Sequence, residues 1–230
     1  MENIEEIVIK YLSKARDLGR VIETRKLEYK EQYKLKESGK TIKAVRAELI
    51  RDVISIANSA PDPEEKTGYL FMGIKTDGQI VDNYCSPVND PADFDGIVNS
   101  ILERPVSFSY REFTDPPTGK KFGVIIIPES SLKPHIVRNE LFDDDSTVLL
   151  SRGECWIRTD GGKIKALAAD YDGIYQDKIA MQTAAIIRAE KEIDENIKKR
   201  KLPKKMIDAT RKIIEMNSEE LNIYIRKVFE

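Results

Sequence analysis

Two short, uninterrupted apolar runs limit the folds that this chain can adopt. They read YLFMGI at residues 69–74 and FGVIIIP at residues 122–128. Apolar runs of this length without polar alternation are typical of buried strands. Thr76-Asp77-Gly78 follows the first run and predicts a tight hairpin that returns through residues 79–81. We therefore expect a sheet with two buried strands at its core.

Other segments carry the periodicity of helices or of half-buried strands. Apolar residues recur at helical spacing in three segments, and three more segments read as strands. The predicted helices cover residues 2–18, 41–58 and 91–102, and the predicted strands cover residues 25–30, 106–113 and 154–159. Residues 31–40 are polar and are predicted to form a loop. This mixture predicts an α+β fold, with a mixed sheet and packed helices.

The pattern changes near residue 173. From about residue 174 the chain is highly charged and contains no glycine, and Pro203 interrupts an otherwise helical pattern. We therefore predict one domain at residues 1–173 and a charged helical extension at residues 174–230. A stripe of isoleucines in the extension packs either on the chain's own domain or on a second copy of the chain. Its members are Ile179, Ile186, Ile193 and Ile197.

Charge and sulfur content exclude several classes of function. The net charge of −2 predicts no global attraction to nucleic acid, so any polyanion site has to be a local patch. Cys85 and Cys155 are isolated and His135 is the sole histidine, which excludes a zinc site of four Cys and His ligands. No window approaches an apolar span of about 20 residues, and the acidic start does not fit a signal peptide. We expect a soluble, cytoplasmic protein with reduced thiols.

The segment ETRKLEYKEQY, residues 23–33, begins a predicted strand but is rich in charge. Glu28 and Lys30 share one face of such a strand, whereas Glu23 joins them only if the chain bends before the strand. Carboxylates are hard oxygen ligands that suit Mg²⁺ or Mn²⁺, and a nearby lysine can neutralise charge on a phosphate. A surface strand with Glu–Lys pairs, each worth little energetically, explains the same residues.

The order of several motifs resembles the Schlafen-type AlbA_2 domain, often called a divergent AAA-4 domain. The likeness covers roughly residues 15–173 and rests on six pieces that follow in the family's order. These are Glu23 with Glu28-Tyr29-Lys30, the helix end at residues 55–59, the strand at residues 68–74, the hairpin Asp77-Gly78, residues 127–130 with Pro134-His135, and Trp156-Ile157-Arg158. The chain departs from the family in the longer PDPEEKTG before the strand and in the long loop after Lys30.

The resemblance implies a nucleic-acid-binding protein of the prokaryotic type, with a metal-dependent endoribonuclease activity on structured, tRNA-like RNA and a role in stress or phage defence. Glu23, Glu28 and Lys30 match the carboxylates and lysine of Schlafen endoribonucleases, and Asp77 is the nearest candidate for their third acid. These four residues would be catalytic, and the three acids would hold Mg²⁺ or Mn²⁺. Asp77 is equally the residue that a tight hairpin prefers for conformational reasons.

Two groups of basic residues are candidates for contact with nucleic acid. The first group flanks segments that line the groove in the family, and the second is the strongest local positive run. They are Lys133, His135 and Arg158, and Lys198, Arg200 and Lys201. A lone histidine is more often structural, and a basic run at a helix end also suits the helix dipole.

Three readings of the function stay open on the sequence. The first is the RNA-cleaving protein, with RNA favoured over DNA. The second is a non-catalytic regulatory module that binds DNA or RNA, and the third is an interaction module that oligomerises through the helical extension. In animal Schlafens two lobes of one chain form a U-shaped groove. Because this chain has a single lobe, the resemblance implies that a homodimer would complete such a groove. Gly39-Lys40-Thr41 is not a P-loop, because Lys34 stands where the first glycine is required.

Overall fold

The computed structural model describes residues 3–37, 40–60, 66–159 and 162–200. The elements in these ranges, in chain order, are α1 (Ile4–Asp17), β1 (Leu27–Lys30), β2 (Lys36–Glu37), β3 (Lys40–Thr41), α2 (Lys43–Asn58), β4 (Gly68–Met72), α3 (Asp93–Asn99), β5 (Ser109–Thr114), β6 (Lys121–Ile127), β7 (Leu141–Phe142), β8 (Val148–Leu150), β9 (Trp156–Thr159), β10 (Gly162–Lys165) and α4 (Ala168–Arg200).

A four-stranded mixed sheet lies at the centre, in the order β1-β4-β6-β5. Strand β1 runs parallel to β4, and β6 runs antiparallel to both β4 and β5. The two apolar runs form the central strands β4 and β6, as the sequence predicts. Both strands are buried almost throughout. The α+β prediction is therefore confirmed.

The alternation of side chains along β4 divides the core into two layers. Leu70 and Met72 point to the layer that contains α2. Tyr69 and Phe71 point to the opposite layer, where Val8 of α1 is buried. Because successive strand residues face opposite sides, one strand anchors both layers, and each fully buried large side chain contributes about 1.5–3 kcal/mol.

Helix α2 lies close against β4. A Cβ atom built on Gly68 would collide with Cγ2 of Ile56, so this position requires glycine for the close approach. At the other end of the strand Gly73 adopts a φ of 94°, which favours glycine as well. The helix is buried along most of its second half, including Asp52 and Asn58, and these two polar residues therefore need internal partners.

Three short two-stranded ribbons accompany the central sheet in the described residues, and one of them pairs β9 with β10. Trp156 lies opposite Lys165 and Arg158 opposite Lys163, so all four side chains share one face of the ribbon. The segment predicted as a loop at residues 31–40 contains part of another ribbon, in which Lys36 pairs with Thr41. Strands of two residues carry no alternation, so the sequence pattern could not reveal them.

The chain forms two compact units, Met1–Lys178 and Ile179–Glu230. The first unit contains the central sheet and the ribbons. In the second unit the described residues belong to the end of α4, where Ile179 and Ile186 are exposed. The predicted boundary near residue 173 stays a prediction and falls shortly before this division. No helix in the described part of the chain is long and apolar enough to cross a membrane.

Candidate functional site

Glu23 and Glu28 meet at one guanidinium. Arg158 of β9 contacts Glu28 Oε2 through its NH1 group, and its NH2 group lies 3.3 Å from Glu23 Oε2. Its Nε also donates to the carbonyl oxygen of Thr24 at 3.0 Å. The chain bends before β1, as the convergence of the two glutamates requires. The Arg158 side chain is 1% exposed, so it is buried against the glutamates and is not presented to a nucleic acid as predicted.

Lys30 connects Glu28 to two acids of α2. Its Nζ lies 2.9 Å from Glu28 Oε1, 3.4 Å from Glu48 Oε1 and 3.6 Å from Asp52 Oδ2. Lys163 of β10 contacts Glu48 and Asp52 from the other side. Glu28 and Lys30 share a face of β1, as the strand parity predicts. The structure thus places Lys30 within a network of alternating charges that joins β1, α2 and the ribbon.

Asp52 is the buried centre of this network. Its side chain is 0% exposed, and it accepts a hydrogen bond from the hydroxyl of Tyr33 besides contacting the two lysines. Burial raises the pKa of the Asp52 carboxyl, and the charges of Lys163 and Lys30 oppose that rise. Burial and the charge of Asp52 also raise the pKa of Tyr33, which keeps its hydroxyl protonated as a donor.

Glu48 is the half-exposed partner of the same cations. Its side chain is 39% exposed and contacts both Lys163 and Lys30, while Arg51 NH1 lies 3.8 Å from Glu48 Oε2. Burial alone would raise the pKa of Glu48, but the hydrogen bonds and charges of Lys163 and Lys30 outweigh it and lower the pKa. Glu48 is therefore an ionised carboxylate at the surface, with three cations around it.

Trp156 lies between two further basic side chains. The guanidinium carbon of Arg51 is 5.2 Å from the centre of the ring, and Lys165 Nζ is 5.7 Å from it. Both distances fall within the range of a cation–π contact. Glu154 accepts a hydrogen bond from the Trp156 ring nitrogen at 3.0 Å and pairs with Lys165 at 2.6 Å. The aromatic ring is thus fixed in place and partly exposed beside two cations.

Sequence reasoning missed most of this network. The signal for the two acids of α2 was present, because Glu48 and Asp52 are four residues apart and lie on one side of a helix. A charged residue within an otherwise buried helix face is itself a sign of an internal partner. Tyr33 and Lys163 carried no comparable signal, since each meets Asp52 only through the tertiary fold.

Asp77 does not join the glutamates. Its Oδ1 accepts a hydrogen bond from the backbone N–H of Gln79 at 2.9 Å, within its own hairpin, and Gly78 follows with a φ of 80°. The described residues contain no group of three or more His, Cys, Asp or Glu side chains that could hold a metal ion. With Glu23 and Glu28 facing a guanidinium, the residues in this arrangement do not fit the predicted Mg²⁺ or Mn²⁺.

Lys133 and His135 lie inside the protein. Lys133 is 1% exposed and pairs with Asp177 at 3.2 Å. His135 Nδ1 lies 3.0 Å from the carbonyl oxygen of Arg104, and its Nε2 lies 2.8 Å from Ser130 Oγ, so both ring nitrogens have internal partners. Burial lowers the pKa of His135. Both side chains are therefore buried with internal partners, and their predicted contact with nucleic acid stays a prediction.

The remaining predicted basic residues belong to the end of the chain. Lys198 and Arg200 lie in the last turns of α4, and their side chains are outside the described residues. Lys201 is outside the described residues altogether. Of the two cysteines, Cys85 is exposed and Cys155 is buried, and both are free thiols.

A comparison with models of protein families finds a match to this chain. The family described as "Schlafen, AlbA_2" matches residues 23–167. The matched range begins at Glu23 and contains every residue of the charged network and Trp156. A search of the curated proteins found no match.

Proposed function

The chain belongs to the Schlafen AlbA_2 family, and on that premise we propose that it binds nucleic acid through the surface that α2 shares with the β9–β10 ribbon. This surface is called the α2–ribbon surface, and it consists of Lys30, Arg51, Trp156, Lys163 and Lys165. A nucleic-acid-related function is consistent with the family.

The contact between Trp156 and its two cations carries the proposal. An aromatic ring stacks on any unpaired base, and neighbouring basic side chains hold the phosphates on either side. Arg51 and Lys165 lie within 5.7 Å of the ring centre, and the Lys165 side chain is 57% exposed. This combination supplies both kinds of contact that a single-stranded segment needs.

We propose RNA as the nucleic acid, with DNA as the alternative. A partly exposed ring is suited to bases that are splayed out of a helix, and sequence-specific RNA recognition targets such loops and bulges. A structured, tRNA-like RNA offers both unpaired loops and closely spaced phosphates. DNA that contains single-stranded segments is the weaker alternative.

The experiment measures the affinity of the chain for a labelled tRNA by fluorescence anisotropy at several salt concentrations. Trp156→Ala should weaken binding about tenfold, since stacking of one base is worth about 1–3 kcal/mol. Lys10→Ala is the matched surface control, because Lys10 is exposed on α1, whose buried residues belong to the layer opposite α2. Equal affinity of Trp156→Ala and the unchanged chain would refute the proposed surface.

The second candidate function is cleavage of the same RNA by a metal-dependent endoribonuclease, with a role in stress or phage defence. It is supported by the convergence of Glu23 and Glu28 within reach of one guanidinium. Because these carboxylates do not fit a metal ion as they are placed, the arrangement itself supplies no metal-assisted step. Lys30 would stabilise the scissile phosphate once the Glu48 side chain has moved away from it, while it stays paired with Glu28 and Asp52.

The test of this candidate is incubation of tRNA with the chain in the presence of Mn²⁺ or of EDTA, with Glu28→Gln in parallel. Cleavage that requires Mn²⁺ and is lost in Glu28→Gln would support the enzyme. Identical RNA products from both proteins would refute it, and binding without cleavage would leave the first proposal as the function.

The assembly state is proposed to be a homodimer or a larger homo-oligomer. The exposed isoleucines Ile179 and Ile186, at the start of the second unit, support it. Light scattering of the full chain over a range of concentrations measures the assembly directly, and a monomer mass at every concentration would refute it.

A further inference from the structure

Three cations converge on a single half-exposed carboxylate. Lys30 and Lys163 contact Glu48 Oε1, and Arg51 NH1 lies 3.8 Å from Glu48 Oε2. Every other acid in this network has at most two cations at such distances. Three cations around one surface carboxylate form a site that suits an anion with several oxygen atoms.

The three cations are held in place by contacts that do not involve Glu48. Lys30 and Lys163 both contact Asp52, which is buried beneath them. Arg51 donates to the carbonyl oxygen of Leu149 and packs over the Trp156 ring. The positive site is therefore preorganised, and it persists when the Glu48 side chain moves away.

Arg51 also retains unused capacity to donate. Its Nε is buried and has no hydrogen-bond partner among the described residues. The 3.8 Å between Arg51 NH1 and Glu48 exceeds a normal hydrogen bond. Buried donors without acceptors are rare in proteins and require an explanation. An anion with more oxygen atoms than a carboxylate would satisfy this guanidinium better than Glu48 does.

We propose that Lys30, Lys163 and Arg51 form a binding site for a nucleic-acid phosphodiester, and that Glu48 occupies this site in the free protein as an internal competitor. This inference rests on the proposed function. A phosphodiester carries the same single charge as Glu48, so it replaces the carboxylate without changing the local charge balance. Because Arg51 also contacts Trp156, a phosphate in this site lies beside the ring on which a base stacks.

Because it competes for the site, Glu48 lowers the affinity of the chain for tRNA. It also makes this affinity depend less on the salt concentration. In the free protein Glu48 already neutralises the three cations. The net number of counterions released when a nucleic-acid phosphate binds is therefore smaller. Glu48→Gln removes the competing charge while it preserves the size of the side chain. We expect this variant to bind tRNA about fivefold more tightly. The logarithm of its binding constant should also fall more steeply with the logarithm of salt, by about one unit of slope.

The matched control is Glu6→Gln. Glu6 is exposed on α1, which packs on the opposite layer of the sheet, and its substitution changes the net charge by the same amount. Glu6→Gln should leave affinity and salt slope unchanged. An equal gain in tRNA affinity in Glu48→Gln and Glu6→Gln would show that net charge alone is responsible. That result would refute the proposal that Glu48 is an internal competitor.

A second measurement reads the site without nucleic acid. Inorganic pyrophosphate should raise the melting temperature of Glu48→Gln more than that of the unchanged chain, because the emptied site accepts the anion. Circular dichroism shows whether the variant is folded, and Glu48→Ala repeats the measurement with a shorter side chain.

The outcomes separate this inference from the proposed function. If the unchanged chain binds tRNA and depends on Trp156, but Glu48→Gln binds no more tightly, the inference is overturned and the proposed function remains. If neither protein binds tRNA but pyrophosphate stabilises Glu48→Gln selectively, the anion site remains and the proposed function is overturned. If pyrophosphate stabilises both proteins equally, the internal competitor is overturned.

Discussion

The two layers on either side of the central sheet are built on different principles. The α1 layer is closed by aromatic side chains, with Phe71 stacked on Tyr29 at 4.8 Å and close to Phe122 at 6.4 Å. The α2 layer is apolar in its interior, but its edge toward the β9–β10 ribbon carries the charged network around Asp52. The first layer combines packing with the Arg16–Asp115 ion pair at 2.9 Å, whereas the second combines packing with a network of ion pairs that joins distant segments of the chain.

This difference between the layers distinguishes contacts that stabilise the fold from charges that suit the proposed function. Replacing a buried ion pair by well-packed apolar residues is often neutral or stabilising, so a charged network is weak evidence for stability. The α1 layer shows that one side of this sheet is covered mainly by apolar side chains, although Arg16 of α1 also pairs with the buried Asp115. The network at the α2 layer is therefore weak evidence of a need for stability, and it is consistent with the proposed binding of a charged ligand.

The largest expected change in the free energy of unfolding comes from a substitution in the α1 layer. Phe71 is fully buried, so Phe71→Ala should lower the free energy of unfolding by about 3–5 kcal/mol. The affinity of the folded fraction for tRNA should not change. Chemical denaturation and anisotropy measure the two quantities, and Phe71→Leu is the conservative control. A loss of tRNA affinity in the folded variant would show that the two layers are not separate.

The second effect is on the centre of the network. Asp52→Asn removes the buried carboxylate that Lys30 and Lys163 share, although Lys30 keeps its pair with Glu28, and it should lower the free energy of unfolding by about 3 kcal/mol. The double variant Asp52→Asn with Lys163→Met should lose less than the sum of the two single losses, because the two side chains interact. Strict additivity of the denaturation energies would contradict the pairing.

The third effect concerns a buried lysine of the α2 layer. Lys26 donates to the carbonyl oxygens of Ile56 and Ser59 at 2.9 and 3.0 Å, and burial together with the charge of Lys133 lowers its pKa from 10.5 to about 8. Between those values the unfolded chain holds a proton that the folded chain has lost, so this contribution to stability increases as pH rises from about 8 to 10.5.

Lys26→Met provides the reference for this pH dependence. The free energy of unfolding of the unchanged chain, minus that of Lys26→Met, should increase by about 1–3 kcal/mol across the interval. Denaturation of both proteins at several pH values measures the difference. A difference that stays constant with pH would mean that Lys26 keeps an ordinary pKa.

The smallest expected effect is at the exposed edge of the α2–ribbon surface. The Lys165 side chain is 57% exposed, so Lys165→Ala should change the free energy of unfolding by less than about 0.5 kcal/mol. Its affinity for tRNA should fall about threefold, and the salt slope should become shallower by about one unit. Lys10→Ala should change neither quantity. If Lys10→Ala lowered the tRNA affinity and the salt slope as much as Lys165→Ala, binding would depend on overall charge and not on a defined surface.

Local patterns predicted the sheet well. The apolar runs at residues 69–74 and 122–128 form the central strands. A strand that is buried on both faces requires consecutive apolar residues, and this pattern is visible in the local sequence. Strand parity also placed Glu28 and Lys30 on one face of β1. In contrast, Asp52 meets Lys163 across 111 residues of chain, and no local period connects them. Lys133 and His135 were predicted to contact nucleic acid because they flank segments that line the groove in the family, but each has an internal partner in the tertiary fold.

Intrinsic tryptophan fluorescence tests whether tRNA binds at the α2–ribbon surface, because Trp156 is the single tryptophan of the chain and lies within this surface. Titration of the unchanged chain with tRNA, followed by intrinsic tryptophan fluorescence, reports on this surface alone. Saturable quenching, with the same dissociation constant as anisotropy and with weaker affinity in Lys165→Ala, is the predicted result. Binding of tRNA that leaves the tryptophan emission unchanged would place the interface elsewhere and contradict the account.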